Sequence, residues 1–189
     1  MPKSIPNILT VIRILLTPLL VICLLKQMYM YSLLLFTIAG ISDGLDGFLA
    51  RTFDSRTELG AYLDPVADKV LLVTAFLSLA YLKLLPMWLT VVVIARDILI
   101  VLGIAICSLW HVHVTIRPSM ISKATTFFQI ALVFFVLLDT GYPHFSRLNS
   151  GLYWITAAVT ILSGLHYLYL GLNLLQGSED EKERENNAH

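Results

Sequence analysis

The sequence predicts an all-α integral membrane protein with six transmembrane helices in one bundle. Hydrophobic residues make up 57% of the 189 residues and charged residues only 14%, and the mean hydropathy is +0.78, which is not typical of a soluble domain. Six apolar segments each reach the ~20 residues that an α-helix needs to cross a bilayer. Short polar connectors separate the segments, and this favours neighbouring helices in a single bundle.

The predicted helices follow one another with little chain between them. The first begins after Lys3 and contains Asn7 and Arg13, and no small-residue cleavage site follows it, so we expect a retained helix and not a signal peptide. Each of the other five begins and ends next to a connector that carries Lys, Arg, Pro, Gly or His. The predicted spans are Ile5–Leu25, Tyr31–Arg51, Gly60–Leu82, Leu85–Trp110, Ile121–Leu138 and Leu152–Leu175.

The chain is predicted to form one membrane domain over residues 1–176, followed by a tail over 177–189. The tail is polar and charge-dense without apolar periodicity, which is typical of a frayed helix end or a disordered extension. Lysine and arginine in the connectors predict the orientation, because cytoplasmic loops carry the excess. One side of the membrane would hold seven of these basic residues, namely Lys3, Arg51, Arg56, Arg117, Lys123, Lys182 and Arg184. The other side would hold three, namely Lys26, Lys83 and Arg147. We therefore expect both termini, and the connector between the second and third helices, to lie in the cytoplasm.

Acidic residues recur at helical spacing on the second predicted helix. Each residue turns a helix by about 100°, so Asp43, Asp46, Gly47 and Ala50 fall within roughly 100° of arc, and Arg51 lies at the edge of that face. The small residues leave room for a bulky group to approach the backbone. This arrangement indicates a binding face for a phosphate-bearing ligand.

A second acidic stripe follows on the third predicted helix, where Gly60, Asp64 and Asp68 lie at i, i+4 and i+8. Each carboxylate would cost about 2.5–3.5 kcal/mol at the centre of a membrane helix, so four together need cations. Clustered hard oxygen ligands suit Mg²⁺, Mn²⁺ or Ca²⁺, and two such ions would balance four carboxylates. The alternative is an internal ion-pair network in which Arg51 and Lys69 neutralise the acids.

Together these residues form the pattern D-x2-D-G-x2-A-R-x8-G-x3-D-x3-D, filled by Asp43, Asp46, Gly47, Ala50, Arg51, Gly60, Asp64 and Asp68. The pattern closely resembles the signature of the CDP-alcohol phosphatidyltransferase family of integral membrane enzymes. The resemblance implies transfer of a phosphatidyl group from CDP-diacylglycerol to an alcohol with release of CMP, and a cofactor of Mg²⁺ or Mn²⁺, with two ions. It also implies a homodimer.

The resemblance implies a role for each residue of the pattern. Asp43, Asp46 and Asp64 would hold the metal ions, with Asp68 also near them. Asp68 would be the catalytic base for the acceptor hydroxyl, since a carboxylate within hydrogen-bond reach can take that proton. The residues expected to contact the cytidine diphosphate part are Asp46, Gly47, Ala50, Arg51 and Gly60.

The acceptor has to be inferred from other segments. The stretches "IPNILTVIRILLTPLL", "LDPVADKVLL", "VIARDILIVLG" and "IRPSMISKATT" resemble the branch of phosphatidylglycerophosphate synthases and eukaryotic-type cardiolipin synthases. The first group tends to carry Arg-Glu in the fourth helix, whereas this chain has Arg96 and Asp97. We therefore favour phosphatidylglycerol as the acceptor, with glycerol 3-phosphate as the alternative. Arg96, Arg117 and Lys123 are candidate ligands for the acceptor's phosphate.

Other functional classes fit less well. A divalent-cation transporter could use the aspartates, but transporters usually gather ligands from distant or broken helices near the midplane, whereas these acids border one connector. The thirteen basic and thirteen acidic residues cancel, so net charge gives no reason to expect nucleic acid as a partner.

Overall fold

The computed structural model describes the backbone of residues 5–53, 58–109, 120–141 and 146–187. Side chains are described for residues 10–42, 66–103, 105, 120–141, 150–171 and 173. The described backbone forms six helices, as predicted for an all-α protein. They are α1 (Ile5–Leu25), α2 (Tyr29–Phe53), α3 (Glu58–Tyr81), α4 (Met87–Leu109), α5 (Met120–Gly141) and α6 (Ser146–Asn187).

The hydropathy pattern predicted the first five helices closely and the sixth poorly. The bounds of α1 are those predicted, and those of α2 to α5 differ by at most three residues at either end. By contrast, α6 begins at Ser146 and continues to Asn187, through the predicted tail. The tail is rich in Glu, Lys and Arg, which are good helix formers. The apolar stretch therefore ends before the tail, but the helix continues through it.

The chain divides into two compact units. Unit one comprises Met1–Thr90 and Gln129–Gly151, and unit two comprises Val91–Phe128 and Leu152–His189. Helices α1, α2 and α3 lie wholly in unit one. All eight positions of the acidic pattern therefore belong to unit one.

In unit one, α1 packs against both α2 and α3. Its inward face repeats at alternating spacings of three and four residues, the seam by which helices pack at a shallow crossing angle. The members of this face are all buried: Thr10, Arg13, Thr17, Leu20 and Leu24. On α3, the buried Leu72, Phe76 and Leu79 form part of the same core.

The outward faces of the helices are apolar and exposed. On α1 these positions include Leu15, Leu19 and Ile22. Among the described residues, two helical segments are long and apolar enough to cross a membrane, Met120–Gly141 and Ser150–Gly171, of which only 33% and 28% respectively is buried inside the protein. Apolar surface of this extent is what lipid covers in a membrane-associated protein.

Helices α1 and α3 of unit one are each followed by a turn of the same type. Gln27 and Lys83 have φ angles of 58° and 59°, the left-handed region that disfavours residues with a Cβ. At the end of α1, Gln27 N–H donates to Leu24 O at 2.8 Å and Met28 N–H donates to Cys23 O at 2.9 Å. This pair of bonds is a Schellman motif, in which glycine is the usual residue at the left-handed position.

We expect Gln27→Gly to raise the free energy of unfolding by about 0.5–1 kcal/mol. Glycine adopts a positive φ without strain, and this gain is larger than the extra backbone entropy that glycine loses on folding. Thermal unfolding in detergent measures the change. The control is Lys26→Gly at the adjoining residue, whose φ is not positive; it should be destabilising. Equal effects of the two substitutions would contradict the strain argument.

Candidate active site

The acidic pattern lies on two helices that share one neighbour. Asp43 and Asp46 lie in α2, and Asp64 and Asp68 lie in α3. Both helices pack against α1. The side chains of Asp43, Asp46 and Asp64 lie outside the described residues, as do those of Gly47, Ala50, Arg51 and Gly60. Their convergence on one site therefore stays a prediction.

Asp68 is the member of the pattern whose side-chain contacts are described, and it is paired with a cation from α1. Arg13 Nη1 donates to Asp68 Oδ1 at 2.5 Å. The two side chains differ in environment, because Arg13 is 0% exposed and Asp68 is 37% exposed. The guanidinium thus holds the carboxylate from the protein interior, while part of the carboxylate faces outward.

Sequence reasoning considered Arg51 and Lys69 as cations for the acidic residues and missed Arg13. The signal was present, because Arg13 interrupts an otherwise apolar helix and an intramembrane charge calls for a partner. Thr10 and Thr17 lie on the same buried face, one turn to either side, and Thr17 Oγ1 donates to Arg13 O at 3.0 Å. This polar stripe on α1 marks the helix face that meets Asp68.

A second buried arginine lies in unit two. Arg96 on α4 is 4% exposed and its Nη1 donates to Asp97 Oδ1 at 2.8 Å. Its Nη2 donates to Ser122 Oγ of α5 at 2.7 Å and to Ser163 Oγ of α6 at 2.9 Å. The guanidinium also lies 5.9 Å from the ring centroid of Tyr167, within the range of a cation–π interaction. Arg96 therefore ties three helices of unit two together.

Less is described of Lys123 and Arg117, the other two residues predicted to bind the acceptor. Lys123 lies near the start of α5 with an exposed side chain. Arg117 lies outside the described residues. All contacts described for Arg96 are within unit two.

The donor set of the acidic pattern fits a divalent cation. Four carboxylates on two helices offer only hard oxygen ligands, which Mg²⁺ and Mn²⁺ prefer. Among the side chains that the structure describes, no three His, Cys, Asp or Glu residues are grouped so as to hold a metal ion. Three of the four predicted ligands are not among those side chains, so the metal site stays a prediction.

A sequence model of the CDP-alcohol phosphatidyltransferase family matches residues 3–162. The chain belongs to this family. The match includes both helices of the acidic pattern and all six helices in whole or in part. The family resemblance inferred from the spacing of Asp43 to Asp68 is thereby confirmed.

Three curated relatives of this chain carry different names. The chain is 30% identical over 196 residues to a human cardiolipin synthase (CMP-forming), covering 95% of this chain and 65% of that protein. It is 31% identical to a probable phosphatidylglycerophosphate synthase of Mycobacterium tuberculosis, covering 92% of this chain and 84% of that protein. It is 30% identical to a CDP-diacylglycerol–glycerol-3-phosphate 3-phosphatidyltransferase of Aquifex aeolicus, covering 91% of this chain and 98% of that protein. The chain thus spans slightly less than two thirds of the human protein's length.

Asp97 should stabilise unit two, because its carboxylate neutralises the positive charge of the buried Arg96. Asp97→Asn keeps the shape but removes the charge, and we expect it to lower the free energy of unfolding by about 1.5–3 kcal/mol, the usual worth of a hydrogen bond to a charged group. Denaturant unfolding in detergent measures it. The matched control is Lys123→Gln, an exposed charge in the same unit, which should change stability by less than about 0.5 kcal/mol. Equal stability of the two variants would argue against the role of Asp97.

Proposed function

We propose that the chain is an enzyme that transfers a phosphatidyl group from CDP-diacylglycerol to an alcohol and releases CMP. The observation that carries this proposal is the complete eight-position acidic pattern on α2 and α3, within a chain that the family matches over residues 3–162. Relatives from different organisms are named as a cardiolipin synthase, a phosphatidylglycerophosphate synthase and a CDP-diacylglycerol–glycerol-3-phosphate 3-phosphatidyltransferase. Each of these proteins is similar over more than nine tenths of this chain.

In the proposed reaction, a bond forms between the acceptor oxygen and the phosphorus of the phosphatidyl group, and the bond from that phosphorus to CMP breaks. CMP leaves with the electron pair of the broken bond. Asp68 takes the proton of the attacking hydroxyl, a role that general-base catalysis gives to a carboxylate within hydrogen-bond reach. The part of Asp68 that is exposed is available for that contact.

The remaining acidic residues are proposed to hold Mg²⁺ or Mn²⁺, because a set of oxygen ligands alone suits these hard cations and not softer metals. Asp43, Asp46 and Asp64, with Asp68 beside them, would bind two ions. Bound ions would stabilise negative charge on the diphosphate of the donor. Gly47, Ala50, Arg51 and Gly60, together with Asp46, are proposed to contact the cytidine diphosphate part.

For the acceptor we propose phosphatidylglycerol, which would make the product cardiolipin, with glycerol 3-phosphate as the alternative. The Arg96–Asp97 pair favours the first, and the relatives' names include both activities. Arg96, Arg117 and Lys123 are proposed to bind the acceptor's phosphate. The bonds from Arg96 to Asp97, Ser122 and Ser163 use four of its five N–H groups. A phosphate oxygen would therefore accept from Nη1 or replace one of the two hydroxyls.

The proposal includes a topology. Six helices cross the membrane, with both termini and the connector between α2 and α3 in the cytoplasm, and the enzyme acts as a homodimer. The exposed apolar faces of α1, α5 and α6 support membrane crossing. The seven-to-three distribution of Lys and Arg supports the orientation.

One assay separates the acceptors. Purified protein with CDP-diacylglycerol and Mg²⁺ is offered phosphatidylglycerol, glycerol 3-phosphate, inositol 1-phosphate and serine in parallel, and both CMP and the lipid product are measured. We expect turnover with phosphatidylglycerol and formation of cardiolipin. Turnover with glycerol 3-phosphate alone would overturn the acceptor but not the reaction. Absence of CMP release with every acceptor would overturn the reaction itself.

The role of Asp68 is tested by Asp68→Asn, which keeps the size of the side chain but cannot take a proton. We expect kcat to fall by about 10²–10⁴-fold, the usual contribution of a general base, while binding of CDP-diacylglycerol is retained. Turnover and lipid binding are measured separately on the same preparation. Near-normal turnover would remove Asp68 from the role of base.

A further inference from the structure

Arg13 is a charged side chain in the interior of unit one that the proposed reaction does not use. It is 0% exposed and lies on the face of α1 that packs against α2 and α3. Burying an ionised group costs several kcal/mol unless it is paired and hydrogen-bonded. A helix that only had to pack there could carry an apolar residue at this position at no such cost.

The partner of Arg13 is the residue assigned as the base. Arg13 Nη1 lies 2.5 Å from Asp68 Oδ1, although 55 residues separate the two in the sequence. The pair is asymmetric, with the guanidinium fully buried and the carboxylate 37% exposed. A fully buried arginine that donates to one oxygen of a partly exposed carboxylate restricts how that carboxylate can turn.

The backbone around Arg13 is itself well held. Leu20 and Leu24 continue its face into the core of unit one, and the Thr17 hydroxyl bonds the Arg13 carbonyl at 3.0 Å. On α3, Ala67 and Leu71 beside Asp68 are buried as well. Arg13 and Asp68 thus both belong to helices that are well packed around them, and such packing fixes a functional side chain in position.

We propose that Arg13 is a positioning residue for Asp68: it holds the carboxylate in the orientation that accepts the proton of the attacking hydroxyl. The inference rests on the proposed function and extends it to a residue of α1, outside the acidic pattern. A displacement of about 1 Å at a reacting group can lower a rate by 10²-fold. The effect of losing Arg13 is therefore expected in kcat, while the donor lipid is bound by other residues.

The test is a double-mutant cycle on turnover. Arg13→Met removes the guanidinium while keeping an unbranched, apolar side chain of similar length. We expect it to lower kcat about 100-fold and to change KM for CDP-diacylglycerol by less than about threefold. In an Asp68→Asn background the same substitution should lower kcat little further, because residues that act as a unit are not additive.

Two further variants separate positioning from stability. Arg13→Lys keeps the charge and one donor, so kcat should lie at least about tenfold above that of Arg13→Met. Ser32→Ala removes another buried hydroxyl of unit one, which donates to Met28 O at the start of α2, and should leave kcat within about twofold of the wild type. The double variant Arg13→Met/Asp68→Asn removes both charges of the pair, so it should unfold at a higher temperature than Arg13→Met, which removes only one.

The outcomes are distinct. A kcat of Arg13→Met within threefold of the wild type would overturn the inference, as would an equal loss of kcat in the wild-type and Asp68→Asn backgrounds. If Arg13→Met does not fold, Arg13→Lys is compared in the same two backgrounds and the same criterion of non-additivity decides. Wild-type protein that releases no CMP with any acceptor would instead overturn the proposed function.

Discussion

A charge in the interior of a protein has to be balanced by the protein itself, because burial removes the group from water and counterions. In unit one this constraint acts through Arg13 and Asp68. Arg13 is fully buried on α1, and its bond to Asp68 connects that helix to α3. The ion pair adds a charged link between two helices that pack against each other, and it restricts the position of the last acid of the pattern.

The two buried arginines of the chain's described part meet the same constraint in different ways. Arg96 bonds the adjacent Asp97 and two serine hydroxyls, and both charged side chains are nearly enclosed. Arg13 bonds a carboxylate from another helix that remains partly open. The first arrangement uses the charges internally to hold helices of unit two together. The second leaves one side of a carboxylate available to a substrate.

Much of the fold was predictable because the signals are local. Hydropathy depends on neighbouring residues, and it located α1 to α5 to within a few positions. It failed at the end of α6, where the helix continues to Asn187, because hydropathy detects an apolar span while helix formation depends on backbone propensity. For the candidate site, the spacing of Asp43 to Asp68 was sufficient to predict the family, since eight residues at fixed intervals are read directly from the chain.

The sequence by itself therefore determined the helices, the family and the acidic residues on which the proposed chemistry depends, since periodicity and spacing are properties of consecutive residues. Only the tertiary structure decided that Arg13 meets Asp68. Arg51 and Lys69 are closer in sequence, but the structure pairs Asp68 with Arg13, 55 residues away. That choice follows from the packing of α1 against α3, and the pairing of distant side chains depends on how helix faces meet and not on their separation along the chain.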